Sequence, residues 1–187
     1  MPALKRHRLP EDLIENLIRE ASTLPVCGID EALVQVLAAR MRPAPVNFAR
    51  TPRLFLVGPL GAGVKSVAAK LRHEAASLGE DAVIEESSFN PRNCRARAAF
   101  GCVNERQGVE TIGVVSALGD AEEVGEIIAQ FRLSRVIVTG LDMASRFGAL
   151  AAAVAQGARL SGITRSPNAD APLEKLTPRE LARMLMG

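Results

Sequence analysis

Hydrophobic residues recur at helical spacing near the start of this chain. In LPEDLIENLIREA and IDEALVQVLAARM, apolar side chains return every three or four positions, which predicts two amphipathic helices. Asp30 is predicted to cap the second helix. The expected inward-facing residues are Leu13, Ile14, Leu17, Ile18 and Ala21, then Leu33, Val34, Leu37 and Met41. Three prolines in RPAPVNFARTPR then predict a linker.

From Arg53 onward, short apolar runs alternate with helical patterns. Strands are predicted in LFLV, AVIEE, ETIGVVS, RVIVTG and RLSGIT. Helices are predicted from the first glycine-rich turn to Leu78, where Gly79 ends the helix, and in NPRNCRARAAFGCVNERQ, GDAEEVGEIIAQF, SRFGALAAAVAQ and TPRELARMLMG. This alternation predicts an α/β fold with a mostly parallel sheet and helices on both faces.

Two of these helices carry clear start signals. Asp120 and Glu123 have capping-box spacing, and the inward positions that follow are Val124, Ile127, Ile128 and Phe131. Thr177, Pro178 and Glu180 give the last helix the same signature, with proline at its first position. We therefore predict a small helical segment over residues 1–43, a linker over 44–52 and an α/β domain over 53–187.

Composition narrows the class of protein. The chain of 187 residues is 48% hydrophobic and 24% charged, with a formal net charge of +2, so overall charge gives no reason to expect a nucleic-acid partner. Six Phe and no Trp or Tyr leave few platforms for stacking bases, and DNA is not an expected partner. The basic run KRHR, from Lys5 to Arg8, is interpreted as a solvated tail, with contact to a membrane surface or RNA as the alternative.

Cysteine and histidine give no sign of a reactive centre. Cys27, Cys94 and Cys102 form no CxxC pair, which favours buried apolar thiols in a reducing compartment. His7 is predicted to lie in the tail and His73 on a polar helix face, and neither is a catalytic candidate. With no signal-peptide pattern and no run of 18 apolar residues, a cytoplasmic protein is predicted.

The stretch GPLGAGVKS, Gly58 to Ser66, is the main candidate for chemistry. A glycine-rich turn between a strand and a helix presents backbone N–H groups to an anion. The working pattern is G-x-x-x-x-G-K-[ST], in which the lysine bridges phosphates and the hydroxyl holds Mg²⁺. Here Val64 takes the lysine position and Lys65 the hydroxyl position. A tight turn with no ligand is the simpler interpretation of such a motif by itself.

Lys65 leaves two alternatives open. Each residue advances about 100° around a helix, so Lys65 cannot replace its neighbour without a change of register. If the register is kept, its ammonium points to the usual Mg²⁺ position and could neutralise phosphates in place of the metal. The other interpretation is that Lys65 points to solvent.

Two stretches resemble the signal-recognition-particle GTPase family, closest to its flagellar branch, the FlhF type. GPLGAGVKSVAAKL resembles the family's GPxGxGKTTTxAKLA loop, and the chain from IVTGLDMASRFGA to the C-terminus resembles its guanine-reading TKLD element, the following R-x-G-(A/S) and a closing helix. The family's N-terminal helical domain also suits residues 1–43. By this resemblance the expected nucleotide-binding residues are Gly58, Gly61, Ala62, Gly63, Lys65, Ser66, Thr139, Leu141 and Asp142.

The departures from the family concern the groups that read the guanine base and the groups needed for hydrolysis. Gly140 replaces the lysine whose stem lies along the base, while Asp142 either accepts the guanine N–H groups or caps the next helix. The stretch IEESSFNP can be aligned with the family in two ways. In the first it corresponds to the DTAGxNP element, which makes Glu85 the candidate metal ligand and puts Ser88 at the position that senses the γ-phosphate. In the second, SSFN is an altered form of the DT(F/Y)R motif. Both alignments leave no intact hydrolysis machinery, and no catalytic residue is predicted.

The resemblance implies a degenerate GTPase that acts through protein contacts, in flagellar placement or membrane protein targeting. GTP or GDP is the expected ligand, whereas the altered loop argues against Mg²⁺. The expected partner is an intact GTPase of the same family or a second copy of the chain, with peripheral contact at the membrane or cell pole. The alternative is a slow GTPase that uses Lys65 through a shifted loop. An ATPase or small-molecule kinase would need an acidic Mg²⁺ ligand and a lid that the sequence does not offer.

Overall fold

The computed structural model describes residues 2–26, 28–90, 93 and 108–187. The strands in these ranges are β1 (Arg53–Pro59), β2 (Val83–Phe89), β3 (Glu110–Ser116), β4 (Arg135–Thr139) and β5 (Arg159–Ile163). The helices are α1 (Pro2–Arg6), α2 (Glu11–Ser22), α3 (Ile29–Arg40), α4 (Val64–Ser77), α5 (Ala121–Gln130), α6 (Gly148–Ala155) and α7 (Pro178–Met186). The helix predicted in NPRNCRARAAFGCVNERQ falls mostly outside the described residues, as do Cys27, Cys94 and Cys102.

The five strands form one sheet in the order β2-β1-β3-β4-β5, and every neighbouring pair is parallel. The strand β1 shows why the strands are continuous apolar runs in the sequence. Its successive side chains point to opposite faces of the sheet, and a hydrophobic core covers each face. Leu54 and Leu56 pack with α4 on one face, while Phe55 and Val57 belong to the larger core on the other face. The predicted parallel α/β fold with helices on both faces is confirmed.

The N-terminal helices share the larger core. Buried residues of α2 and α3, such as Leu17 and Leu37, belong to the same cluster as Leu181 and Leu185 of the closing helix. Residues 42–44 then run beside β5: Pro43 forms a parallel bridge with Leu160. The division into segments 1–43, 44–52 and 53–187 stays a prediction.

A buried arginine, which the sequence reasoning missed, anchors the predicted linker. Arg135, at the start of β4, forms an ion pair with Glu110 and donates to Ser161 Oγ at 3.0 Å. It also donates to the carbonyls of Ala44 and Pro45, the latter at 3.2 Å. These bonds tie the chain before β1 to the amino-terminal edge of the sheet, which lies opposite the carboxyl ends of the strands.

Helix signals were predicted with mixed success. The side chain of Asp120 caps α5, and Thr177 with Glu180 forms a complete capping box on α7, as predicted. The predicted cap by Asp30 is wrong: Gly28 with φ of 113° is the N-cap, so Asp30 lies within the first turn of α3. The predicted solvated tail is wrong in part: Lys5, Arg6 and Arg8 are exposed, but α1 begins at Pro2 and His7 is buried.

Among the helices the structure describes, none is long and apolar enough to cross a membrane.

Candidate nucleotide site

The glycine-rich loop joins β1 to α4 through two residues in the left-handed region. Gly61 and Gly63 both have φ of +84°, a conformation that side-chain-bearing residues rarely adopt. The first intrahelical bond runs from the Val67 N–H to the Gly63 carbonyl at 3.0 Å. The preceding N–H groups of α4 therefore have no intrahelical acceptor and point out from the helix N-terminus, as in an anion-binding loop.

Gly58 serves packing. A Cβ on Gly58 would overlap the carbonyl oxygen of Val114 on the neighbouring strand β3. The same Cβ would lie 3.1 Å from Cγ2 of Val64. Glycine at this position is required for the close approach of β1 and β3, whatever the loop binds.

Val64, which takes the position of the phosphate-binding lysine, points into the protein. It is buried in the core that α4 forms with the sheet, together with Val67, Leu71 and Val114. An apolar side chain beneath the loop is well accommodated there, but it brings no charge to the loop's concave side. The structure thus places no cation in the lysine position.

A cavity of about 230 Å³ opens beside the loop at the carboxyl ends of β3, β4 and β5. In open α/β sheets ligands bind in the crevice at this edge. The described residues that line it are Gly61, Gly63, Ser66, Val67, Lys70, Ser116, Leu118, Thr139, Gly140, Asp142, Met143, Thr164, Ser166 and Pro167.

The cavity brings together five of the nine predicted nucleotide-binding residues: Gly61, Gly63, Ser66, Thr139 and Asp142. The other four, Gly58, Ala62, Lys65 and Leu141, are not among its described lining residues. Ala62 and Leu141 are buried, and Lys65 is exposed on α4. Nucleotide contact by any of the nine stays a prediction.

Thr139 holds the loop in place. Its hydroxyl donates to the Ala62 carbonyl at 2.7 Å and also lies 3.3 Å from the Val115 carbonyl. At the same edge of the sheet, the Leu141 N–H donates to the Thr164 carbonyl at 3.1 Å. These bonds join β4 to the loop on one side and to the end of β5 on the other, so the cavity wall is fixed by strand geometry.

Lys70 forms part of the cavity wall and is 2% exposed. Its ammonium donates to the backbone carbonyls of Asn168 and Ala171, the latter at 2.9 Å. Residues 164–171, which follow β5, are called the closing loop below. Lys70 thus fastens the closing loop to α4, and two of its donor positions are already used by carbonyl oxygens.

Asp142 is exposed, lies in a turn and lines the cavity. The alternative that it caps the following helix is wrong, because α6 begins at Gly148 with Phe147 as its N-cap. A carboxylate in this place can accept two hydrogen bonds from a ligand.

The two positions that the resemblance links to Mg²⁺ are altered or lie away from the cavity. The position of the metal-binding hydroxyl is taken by Lys65. Glu85, the candidate metal ligand, is exposed on β2, and its carboxylate lies 3.8 Å from the guanidinium of Arg53. It is not among the described residues that line the cavity. Across the described part of the chain, no group of three His, Cys, Asp or Glu side chains could hold a metal ion.

Several residues of the wall were missed by sequence reasoning. Ser116 ends β3 and Thr164 follows β5, so both could be expected at the cavity from their place at the carboxyl edge of the sheet. Lys70 follows Ser66 by four residues and therefore shares its helix face. Only the path of the closing loop, which sequence periodicity does not predict, shows why Lys70 is buried.

Solved structures of signal-recognition-particle-type GTPases have the same fold. FlhF complexed with GMPPNP and Mg²⁺ aligns over 100% of this chain and 97% of its own, with a TM-score of 0.74 and 14% identity. FtsY from Mycoplasma mycoides aligns over 98% of this chain and 86% of its own, with a TM-score of 0.71 and 12% identity.

The Signal Recognition Particle 54 kDa protein from Aeropyrum pernix K1, in complex with GDP, has a TM-score of 0.59 and 19% identity over 97% of this chain and 61% of its own. No family model matches the sequence, and no curated protein matches it. The chain therefore has the α/β fold of P-loop nucleoside triphosphatases, in the form seen in FlhF, FtsY and the 54 kDa protein. The resemblance predicted from the sequence is confirmed at the level of the fold.

Proposed function

We propose that this chain is a degenerate GTPase of the signal-recognition-particle type, which acts through protein contacts with weak or no hydrolysis of GTP. The observation that carries the proposal is the burial of Val64 in the position of the phosphate-binding lysine. Phosphoryl transfer to water depends on a loop cation, Mg²⁺ and an oriented water. A fold kept intact around a loop without its lysine supports a role other than catalysis.

Binding of a guanine nucleotide is the retained function that we propose for the cavity. The similar folds include one complexed with GMPPNP and Mg²⁺ and one in complex with GDP. In this chain Gly61 and Gly63 still shape the loop, and Asp142 lies at the cavity where a base could be read.

The partner that we propose is an intact GTPase of the same fold, with a homodimer as the alternative. We place the protein in the cytoplasm, peripheral at the membrane or cell pole, and its process in flagellar placement or membrane protein targeting. The predicted division into a helical segment over 1–43 and a GTPase-like domain over 53–187 belongs to the same proposal. These points rest on the resemblance to FlhF and FtsY.

Phosphate release from GTP in the presence of Mg²⁺ tests the catalytic part. The purified protein is expected to release no more phosphate than buffer, and Lys65→Ala is expected to change nothing. Turnover by the wild type that Lys65→Ala abolishes would instead support a slow GTPase with a shifted loop.

The contact part is tested by adding the protein to a purified FlhF-type GTPase. Light scattering is expected to detect a complex, and the partner's turnover is expected to change. A protein that stays monomeric and leaves the partner's turnover unaltered would contradict the proposed role.

A further inference from the structure

The amino-terminal edge of the sheet carries a concentration of exposed arginines. Arg53 begins β1, Arg159 begins β5, and Arg132 lies in the turn before β4. Arg42 lies beside β5, because its carbonyl accepts from the second N–H of that strand at 2.9 Å. Arg50 lies shortly before β1. The edge opposite the cavity therefore presents a row of guanidinium groups to solvent.

Little of this positive charge is neutralised within the described part of the chain. The guanidinium of Arg53 lies 3.8 Å from the carboxylate of Glu85. The other four arginines of the row form no ion pair with a residue that the structure describes. Glu110, at the same edge, is already paired with the buried Arg135. The row can therefore bind an anionic surface, and arginine suits phosphate because its planar fork can donate two hydrogen bonds.

Arg132 shows that the side chain, rather than the backbone, explains an arginine in this row. Its φ is +49°, a conformation that glycine adopts freely and that residues with a side chain adopt at some cost. The turn before β4 gains nothing from arginine as backbone. The exposed guanidinium is what this position contributes.

Two exposed apolar side chains lie at the β2 end of the same edge. Leu78, the C-cap of α4, is 64% exposed, and Val83, the first residue of β2 and the register partner of Arg53, is 49% exposed. The turn between them also carries Glu80 and Asp81, but these acids are fewer than the unpaired arginines. Cations beside exposed apolar side chains are typical of surfaces that bind anionic membranes. A nucleic acid would offer these apolar side chains no partner.

We infer that the amino-terminal edge of the sheet binds an anionic lipid bilayer through its arginines, with Leu78 and Val83 entering the headgroup region. The inference rests on the proposed function, which places the protein at the membrane, and it names the surface that makes the contact. In this orientation the carboxyl edge, with the loop and the cavity, faces away from the bilayer. The basic run from Lys5 to Arg8 lies elsewhere, because His7 is bound to the start of α6.

Co-sedimentation of the full chain with lipid vesicles tests the inference. Binding is expected with vesicles of phosphatidylglycerol and phosphatidylcholine in equal amounts, and not with phosphatidylcholine alone. In about 1 M salt, where charges are screened within about 3 Å, binding is expected to be lost. No binding to the anionic vesicles, or tighter binding to a double-stranded RNA than to the vesicles, would overturn the inference.

Charge variants locate the surface. Arg132→Gln combined with Arg159→Gln is expected to weaken vesicle binding about 25-fold, because each arginine near an anionic surface contributes about fivefold. Lys5→Gln combined with Arg6→Gln removes the same charge from α1 and is expected to keep the affinity of the wild type. Urea denaturation of both variants checks that each is folded. Equal losses in the two variants, or a loss in the α1 variant alone, would contradict the assignment.

The apolar contact is tested separately by Leu78→Ser, which is expected to weaken vesicle binding about threefold or more. Leu60→Ser is the matched control, because Leu60 is 72% exposed in the glycine-rich loop at the opposite edge and is expected to make no contact. Equal affinities of these two variants would contradict the apolar part of the inference. None of these measurements involves GTP or a partner GTPase, so the membrane surface can fail while the proposed loss of catalysis stands.

Discussion

The backbone carbonyl of His7 crosses so close to Gly148 that a Cβ at Gly148 would overlap its oxygen. The ring of His7 lies beside the ring of Phe147, with centroids 5.4 Å apart, and its Nδ1 accepts from the Phe147 N–H at 3.2 Å. The chain between α1 and α2 is thus locked onto the start of α6, a few residues after Asp142. The N-terminal segment and the cavity wall are mechanically joined at this point.

Gly148→Ala is expected to destabilise the protein by about 1–3 kcal/mol, because a side chain there meets backbone that cannot rotate away. Urea denaturation at constant m-value measures the effect. Gly125→Ala is the control, since its Cβ would meet only the flexible end of Gln156 and helix propensity favours alanine. Equal stability of the two variants would contradict the tight crossing.

His7 predicts a pH dependence of stability. Burial is the main cause that lowers the pKa of His7 below its ordinary 6.5, Arg6 and Arg146 lower it further, and backbone groups of Leu185 and Met184 oppose the change. The unfolded chain therefore takes up the proton first, so stability is expected to fall as the pH drops below about 6.5, by at most about 1.4 kcal/mol per pH unit.

Urea denaturation between pH 5 and 8 measures this slope. His7→Gln is expected to flatten it, whereas His73→Gln, a change on the exposed side of α4, is expected to keep it. If the two variants retain the same slope, His7 is not its source.

Lys70→Met is expected to lower the free energy of unfolding by about 1–3 kcal/mol, because the carbonyls of Asn168 and Ala171 lose their donor. Hydrogen exchange of the closing loop is expected to accelerate in this variant. Lys65→Met removes an exposed ammonium of the same helix and serves as the control, with a change within about 0.5 kcal/mol. Unchanged exchange in Lys70→Met would show that the closing loop is held by other contacts.

Asp142→Asn tests how the base is read. A carboxylate that accepts both the ring N–H and the exocyclic amine of guanine is expected to favour guanosine over inosine, which lacks that amine, by about 1.5–3 kcal/mol. The variant is expected to lose this preference. Asp170→Asn removes the same charge from the exposed closing loop and is expected to keep it. A preference that survives Asp142→Asn would assign base reading to other groups.

Local signals in the sequence predicted most of the fold. The apolar runs of β1 and β3 needed no tertiary information, because side chains buried on both faces produce them directly. The caps formed by Asp120 and Thr177 were also predicted from local sequence signals. The error at Asp30 arose because Gly28 has a positive φ and α3 starts two residues earlier than predicted. The inward face of α3 also differs from the prediction, since Val36 is buried and Val34 is partly exposed.

The site was harder to predict from sequence. Spacing alone identified Val64 and Lys65 as departures from the loop pattern, but only the structure shows that Val64 is buried and Lys65 is exposed. The burial of Lys70 depends on a closing loop about a hundred residues further along the chain. His7 was assigned to a solvated tail because its basic neighbours are polar, whereas its burial depends on α6 and α7.

Single-turnover hydrolysis tests the central claim most directly. The protein is used in large excess over GTP that is labelled at the γ-phosphate, with Mg²⁺ present. Under these conditions slow product release does not affect the measured rate. If the loop lacks the cation for phosphoryl transfer, labelled phosphate will appear at the rate seen in buffer alone. Release well above that rate, which is lost in Lys65→Ala, would contradict the account.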